Sequence, residues 1–161
     1  MAKPPRDRAP SASNTYFVTA NAFAGQALFQ SERIANLLIE TLLDYRSQGK
    51  YLLHEFAIMP NHVHILFTTA IGTTLERSMQ LIKGGFSYRA GKLLEVRGEI
   101  WQSGYVDHRV RDVHDYAHHN HYIRQNPVNA NLAKSAEEYP FSSAFPSFNV
   151  DGPPQGLKPL V

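Results

Sequence analysis

The sequence contains no cysteine. Disulfides and thiolate metal sites are therefore excluded, any bound metal must be held by nitrogen and oxygen ligands, and a reducing compartment is compatible. No apolar run approaches the roughly 20 residues a membrane-spanning helix requires. No membrane partner is expected. Met1 to Pro10 is polar, basic and proline-rich without an apolar segment, so it does not read as a secretory signal, and a cytoplasmic location is predicted. An excess of one charge is also missing: the formal net charge is only +2. With a sequence pI near 8.9, this permits a nucleic-acid partner without demanding one. What is present is enough apolar material, 43% of 161 residues, to build the core of one compact domain.

Three segments follow from composition. Residues 1–13 read as a disordered basic arm, 14–148 as the folded domain, and 149–161, rich in proline and glycine, as a flexible tail. Within the domain, Thr15-Tyr16-Phe17-Val18-Thr19 is β-branched and aromatic and predicts a first strand. Ser31 then offers an N-cap to a helix with an apolar stripe at Ile34, Leu37, Leu38, Leu42 and Tyr45, stopped at Gly49. Tyr51 to Met59 and His62 to Thr69 predict a hairpin around the turn Pro60-Asn61.

Thr73-Thr74-Leu75-Glu76 reads as a capping box opening a second helix, with Leu75, Met79, Ile82 and Phe86 on one side. Gly84-Gly85 in its middle implies either a bend or a close approach of another group. Trp101 to Val110 predicts a fourth strand, and Asp112 caps a third helix that Pro127 should end. The order is strand, helix, strand, strand, helix, strand, helix. That is an α+β, ferredoxin-like split βαβ pattern: an antiparallel sheet with two helices on one face and the last helix free to cross the other.

The distinctive motif is Pro60-Asn61-His62-Val63-His64-Ile65-Leu66-Phe67. Strand alternation sends His62 and His64 to one face and Val63, Ile65 and Phe67 to the other, under the first two helices. Two same-side imidazoles suit a metal ion, although they also suit a merely polar surface. On the third helix Asp115, His118, His119, Tyr122 and Asn126 cluster opposite a less polar side made of Val113, Tyr116, Ala117, Asn120 and Ile123. Tyr122 and Asn126 are i and i+4 neighbours. Separately they read as a packing tyrosine and a helix-end asparagine before proline; with the histidine pair they read as a nucleophilic phenol and a third ligand. His114 and His118 share the same spacing without a matching carboxylate, and are expected to be solvated or to face DNA.

His62-Val63-His64 after Met59-Pro60-Asn61 resembles the HUH motif (histidine, bulky hydrophobic, histidine) of single-tyrosine transposases. Trp101-Gln102, Tyr105, Asp107-His108, Val110-Arg111-Asp112, the run Tyr122-Ile123-Arg124-Gln125-Asn126-Pro127-Val128-Asn129-Ala130 and Tyr139-Pro140-Phe141-Ser142-Ser143 resemble the REP-associated tyrosine transposase branch, over about residues 14 to 146. The resemblance implies metal ligands at His62, His64 and Asn126 and a catalytic nucleophile at Tyr122. Some relatives carry glutamine at the third ligand.

It further implies a metal-dependent endonuclease and strand transferase acting on single-stranded DNA near palindromic hairpin repeats, as monomer or homodimer. A 5′-phosphotyrosine and a free 3′-hydroxyl would form, and the retained ester would let the strands be rejoined without ATP. Mg²⁺ or Mn²⁺ is the expected cofactor, weighing ligand softness against phosphate chemistry and abundance. Lys83, Arg89, Lys92, Arg97, Arg109, Arg111 and Arg124 are expected phosphate contacts, and Tyr105 a base-stacking residue. Trp101 has the same chemistry but reads better as packing. His118 or His119 would assist proton transfer. The alternative from another class is a non-catalytic nucleic-acid-binding ferredoxin-like module, because a fold does not establish an activity.

Overall fold

The computed structural model describes residues 13–159, so the expectation for the basic arm lies, apart from Ser13, outside the described residues. The elements are β1 Thr15–Asn21, α1 Glu32–Ser47, β2 Tyr51–Met59, β3 His62–Thr69, α2 Leu75–Leu94, β4 Val106–Val110 and α3 Val113–Asn129. The sheet runs β2-β3-β1-β4, with every neighbouring pair antiparallel. β3 thus lies between β1 and β2, and β1 between β3 and β4. These are two interleaved split βαβ units, the ferredoxin-like arrangement read from the sequence.

Alternation divides the sheet into two faces. Val18 and Ala20, Phe56 and Ile58, and Val63, Ile65 and Phe67 pack with Leu38 and Leu42 of α1 and Met79, Ile82 and Phe86 of α2. The opposite face carries Ala57, Met59, Leu66 and Val110, covered by Tyr116 and Ile123 of α3 with Phe17 and Leu157. A register shift between Leu53 and Glu55 brings Glu55 opposite Leu66, which places it on the α3 face. α3 therefore lies where the sequence left room for it, across the face that carries His62 and His64.

Four local expectations are corrected. The second helix is capped by Thr74, whose hydroxyl accepts from Arg77 N at 3.1 Å; the N-cap is thus Thr74 in place of Thr73, and N3 is arginine. The fourth strand begins only at Val106. Gly104 at φ +74 interrupts the extended chain, the carbonyls of Gln102 and Gly104 turn to accept from Lys83 Nζ, and Trp101 makes an isolated bridge to Ala22. Pro127 does not end α3: it lies inside the helix, which closes two residues later. In the last turn a proline forfeits one backbone bond, to Ile123, and its buried ring stays in the core.

Nor are residues 149–159 loose. Asp151 accepts from both Arg46 Nε and Nη2 at 2.9 Å and from Leu53 N at 2.8 Å. Lys158 then exchanges backbone bonds with Arg111 and Val113. A bidentate ion pair and a bridge to the start of α3 outweigh what a Pro/Gly-rich composition implies for an isolated chain. The glycine pair in α2 is also resolved. A Cβ on Gly85 would fall 2.2 Å from the Tyr45 hydroxyl, whereas one on Gly84 would meet nothing within 4 Å, so the pair serves a close α1–α2 approach at Gly85.

Candidate active site

Cross-strand partners share a face, so the register lays out the site. His64 pairs with Thr19 and His62 with Asn21, Ala57 with His64 and Met59 with His62. One row further along, Leu66 pairs with Phe17 and Phe17 with His108. All of these side chains point toward α3.

The two histidine rings meet edge to face with centroids 4.7 Å apart. His64 is 4% exposed, and its Nδ1 is 2.9 Å from Thr19 Oγ1. His62 Nδ1 is 2.7 Å from Asn61 Oδ1. The Asn61 oxygen can only accept, so His62 carries its proton on Nδ1 and presents Nε2; the Thr19 hydroxyl allows His64 the same tautomer. The consequence is visible at His64 Nε2, a buried nitrogen with no hydrogen-bond partner among the described residues. A buried imidazole nitrogen left unpaired costs on the order of 1–3 kcal/mol unless something else engages it. Burial, followed by the neighbouring His62, lowers the His64 pKa to about 4, and burial lowers that of His62 as well. Both rings are neutral at pH 7, the state in which imidazole binds a cation. This donor set fits a divalent ion.

Tyr122 is brought to this pair. Its ring stands edge-on to His64 at 5.4 Å and to Phe17 at 5.8 Å, while 44% of the residue stays exposed. Asn126 lies one helical turn beyond and is half-buried. Tyr116, on the less polar side of the helix, is a packing residue: it is buried, rests edge-on against His54, and its pKa is pushed up to about 12 chiefly by desolvation. Of the two histidines expected to move protons, His119 lies against Phe17 with centroids 4.7 Å apart, while His118 is exposed.

The expected DNA-contact residues do not form one patch. Lys83, Arg89 and Lys92 ride on α2, which covers the face opposite the histidines. Lys83 donates to loop carbonyls, Arg89 pairs with Asp44, and Lys92 donates to the Tyr88 hydroxyl. Arg109 pairs in register with Tyr16, on that same opposite face, and donates to Asn14. Tyr105 packs, partly buried, against the core of α1 and α2, and Trp101 is buried with its indole N–H on the Lys83 carbonyl. Arg97 and Arg111 are exposed; Arg124 is drawn to Glu55 and Glu137.

Residues outside the motif prove as informative. Glu55, buried beneath α3, accepts from Arg124 Nη1 at 3.1 Å, from Asn120 Nδ2 at 3.3 Å and from the Ser143 hydroxyl in a very short bond. It ties α3 and the chain after it to the sheet. A lone carboxylate in the apolar run from Leu52 to Met59 was the available signal. For Thr19 there was none, because its role depends on register with a strand 45 residues away.

The family described as transposase IS200-like matches residues 21–126. The chain is 25% identical over 130 residues to the REP-associated tyrosine transposase of Escherichia coli strain K12, covering 80% of this chain and 75% of that protein. A solved structure of a REP-associated tyrosine transposase bound to a REP hairpin aligns with a TM-score of 0.67 at 22% identity, over 100% of this chain and 99% of the other. At that identity the likeness is one of fold. Among the described residues no helix is long and apolar enough to cross a membrane.

Proposed function

Since the chain belongs to the IS200-like transposase family and is similar to REP-associated tyrosine transposases, we propose that it cleaves and rejoins single-stranded DNA beside hairpin repeats, with Tyr122 as nucleophile. The observation that carries this reading is the exposed Tyr122 ring 5.4 Å from a His64 whose inner nitrogen is buried and unpartnered. The substrate class is taken from the hairpin held by the solved relative.

His62, His64 and Asn126 would hold the ion, Mg²⁺ or Mn²⁺, which when bound offsets charge on a non-bridging phosphate oxygen and keeps the phosphodiester in line. Asn61 and Thr19 hold the two rings with Nε2 free, and Phe17 wedges between His64, His119 and Tyr122 to fix their spacing. The Tyr122 phenol gives its proton to solvent, to which it is open. Its Oη then bonds to phosphorus while the phosphorus–O3′ bond breaks, and the departing O3′ takes up a proton. The product is a 5′-phosphotyrosine and a 3′-hydroxyl. Attack by a DNA 3′-hydroxyl reverses the exchange, one ester for another, without ATP. Arg111, exposed between β4 and α3, would be open to a phosphate contact.

The test is incubation of labelled single-stranded hairpin DNA with protein and Mn²⁺ or Mg²⁺, followed by denaturing electrophoresis. A covalent adduct that disappears in Tyr122→Phe is expected. Binding with no adduct under either metal would identify a non-catalytic nucleic-acid module, and cleavage that survives Tyr122→Phe a metal-dependent nuclease using water; either outcome refutes the proposal.

A further inference from the structure

A second group of ligand-type side chains lies on the same sheet face, outside the His62–His64 pair. His108 on β4 and Asp115 and His119 on α3 present one ligand atom each, all within 4.8 Å of one another. His108 Nε2 is 2.7 Å from Asp115 Oδ2, and His119 Nδ1 is 3.0 Å from Asp115 Oδ1. The two imidazoles stack at 4.8 Å with their planes 24° apart. His119 Nδ1 also donates to the Asp115 backbone carbonyl, its i−4 partner, at 2.9 Å, so an ion binding through that nitrogen must displace this proton and break the bond to the helix.

We propose that His108, Asp115 and His119 form a second cation site, selective for a borderline transition ion of the Zn²⁺ class, which fastens α3 to the edge strand β4. Two imidazoles and one carboxylate are a nitrogen–oxygen set that such ions favour over Mg²⁺, and three protein ligands leave positions for water or a phosphate oxygen. The carboxylate supplies a formal charge that the His62–His64 pair lacks. Strand register fixes one ligand and helical i, i+4 spacing the other two, so the set is assembled by the fold without a mobile loop. Only Arg111 and Asp112 separate the end of β4 from the start of α3, which makes the ion a clamp at the joint that aims the helix. Phe17, touching His119 on one side and His64 and Tyr122 on the other, separates the two centres. They share no ligand.

This absence of shared ligands makes the sites separable by stoichiometry. Metal-stripped full-length protein is titrated with Zn²⁺ by calorimetry and with Co²⁺ by visible absorption. The wild type is expected to bind two ions, His62→Ala/His64→Ala one, and the same double variant with Asp115→Asn or His108→Ala added none, at an affinity loss of about a hundredfold or more for each ligand removed. In the His62→Ala/His64→Ala background, Zn²⁺ should also raise the melting temperature, and the added Asp115→Asn should abolish that rise. His108 is an exposed strand residue, so its alanine variant keeps the test usable if Asp115→Asn fails to fold. Loss of all binding in His62→Ala/His64→Ala, or binding there that persists after both Asp115→Asn and His108→Ala, overturns the proposal.

Discussion

Glu55 offers the sharpest test of how the tertiary structure aims α3. It is 5% exposed and faces three donors: Arg124 Nη1, Asn120 Nδ2 and the Ser143 hydroxyl. Glu55→Gln keeps the volume, removes the charge and turns an N–H₂ toward groups that also donate. The Ser143 hydroxyl has a second acceptor in the Phe56 carbonyl at 3.2 Å, so it need not be orphaned. The loss then falls on Arg124 and Asn120. A charge-assisted bond contributes about 1.5–3 kcal/mol, but the Arg124 head is a third exposed and keeps Glu137 at 3.3 Å, so about 1–2 kcal/mol is expected. Glu55→Ala adds a cavity and should cost about 3 kcal/mol. Urea denaturation followed by circular dichroism measures both. Adduct formation should fall further than hairpin binding, because Asn120 and Arg124 flank Tyr122 on the helix. A Glu55→Gln protein within about 0.5 kcal/mol of wild type, or a double-mutant cycle with Arg124→Met showing no coupling, would refute the claim that this carboxylate anchors α3.

Three further outcomes are expected. Thr19→Val leaves His64 Nδ1 without its partner and should weaken Mn²⁺ binding by about 10–100-fold while leaving the fold intact, as read by calorimetry and circular dichroism. In metal-free protein the His64 pKa is depressed from 6.5 to about 4, so its contribution to stability is full above pH 6.5 and is lost as pH falls toward 4, by about 3 kcal/mol in total; His54 and His62, also lowered, act in the same direction, and chemical denaturation across that range should flatten in His64→Asn. Gly84→Ala, at an open helical position, should stabilise by about 0.5–1 kcal/mol, whereas Gly85→Ala, driven into the Tyr45 ring, should destabilise; melting temperatures that move together would contradict the assigned packing.

Much of the fold was legible because its signals are local. The hairpin Tyr51–Met59 and His62–Thr69 was readable to the residue, since alternation and a Pro-Asn turn both lie within the segment. Ser31 and Asp112 cap their helices as read. The failures were at positions where a distant group overrides local chemistry: Lys83 turns the carbonyls before β4, the core keeps Pro127 inside a helix, and Arg46 fastens a Pro/Gly-rich tail through Asp151.

The same division holds at the site. Sequence alone determined which residues share a face, His62 with His64 and Tyr122 with Asn126, because strand and helix periods are properties of the backbone. It also settled the absence of thiolate ligands. Only the tertiary structure decided that the Tyr122 ring meets that of His64, that Thr19 holds His64, that Glu55 fastens the helix, and that His108 joins Asp115 and His119. Those contacts depend on the pairing registers of the four strands and on the angle at which α3 crosses the sheet. No short-range pattern encodes these quantities; they are set by how side chains from separate elements fill one core.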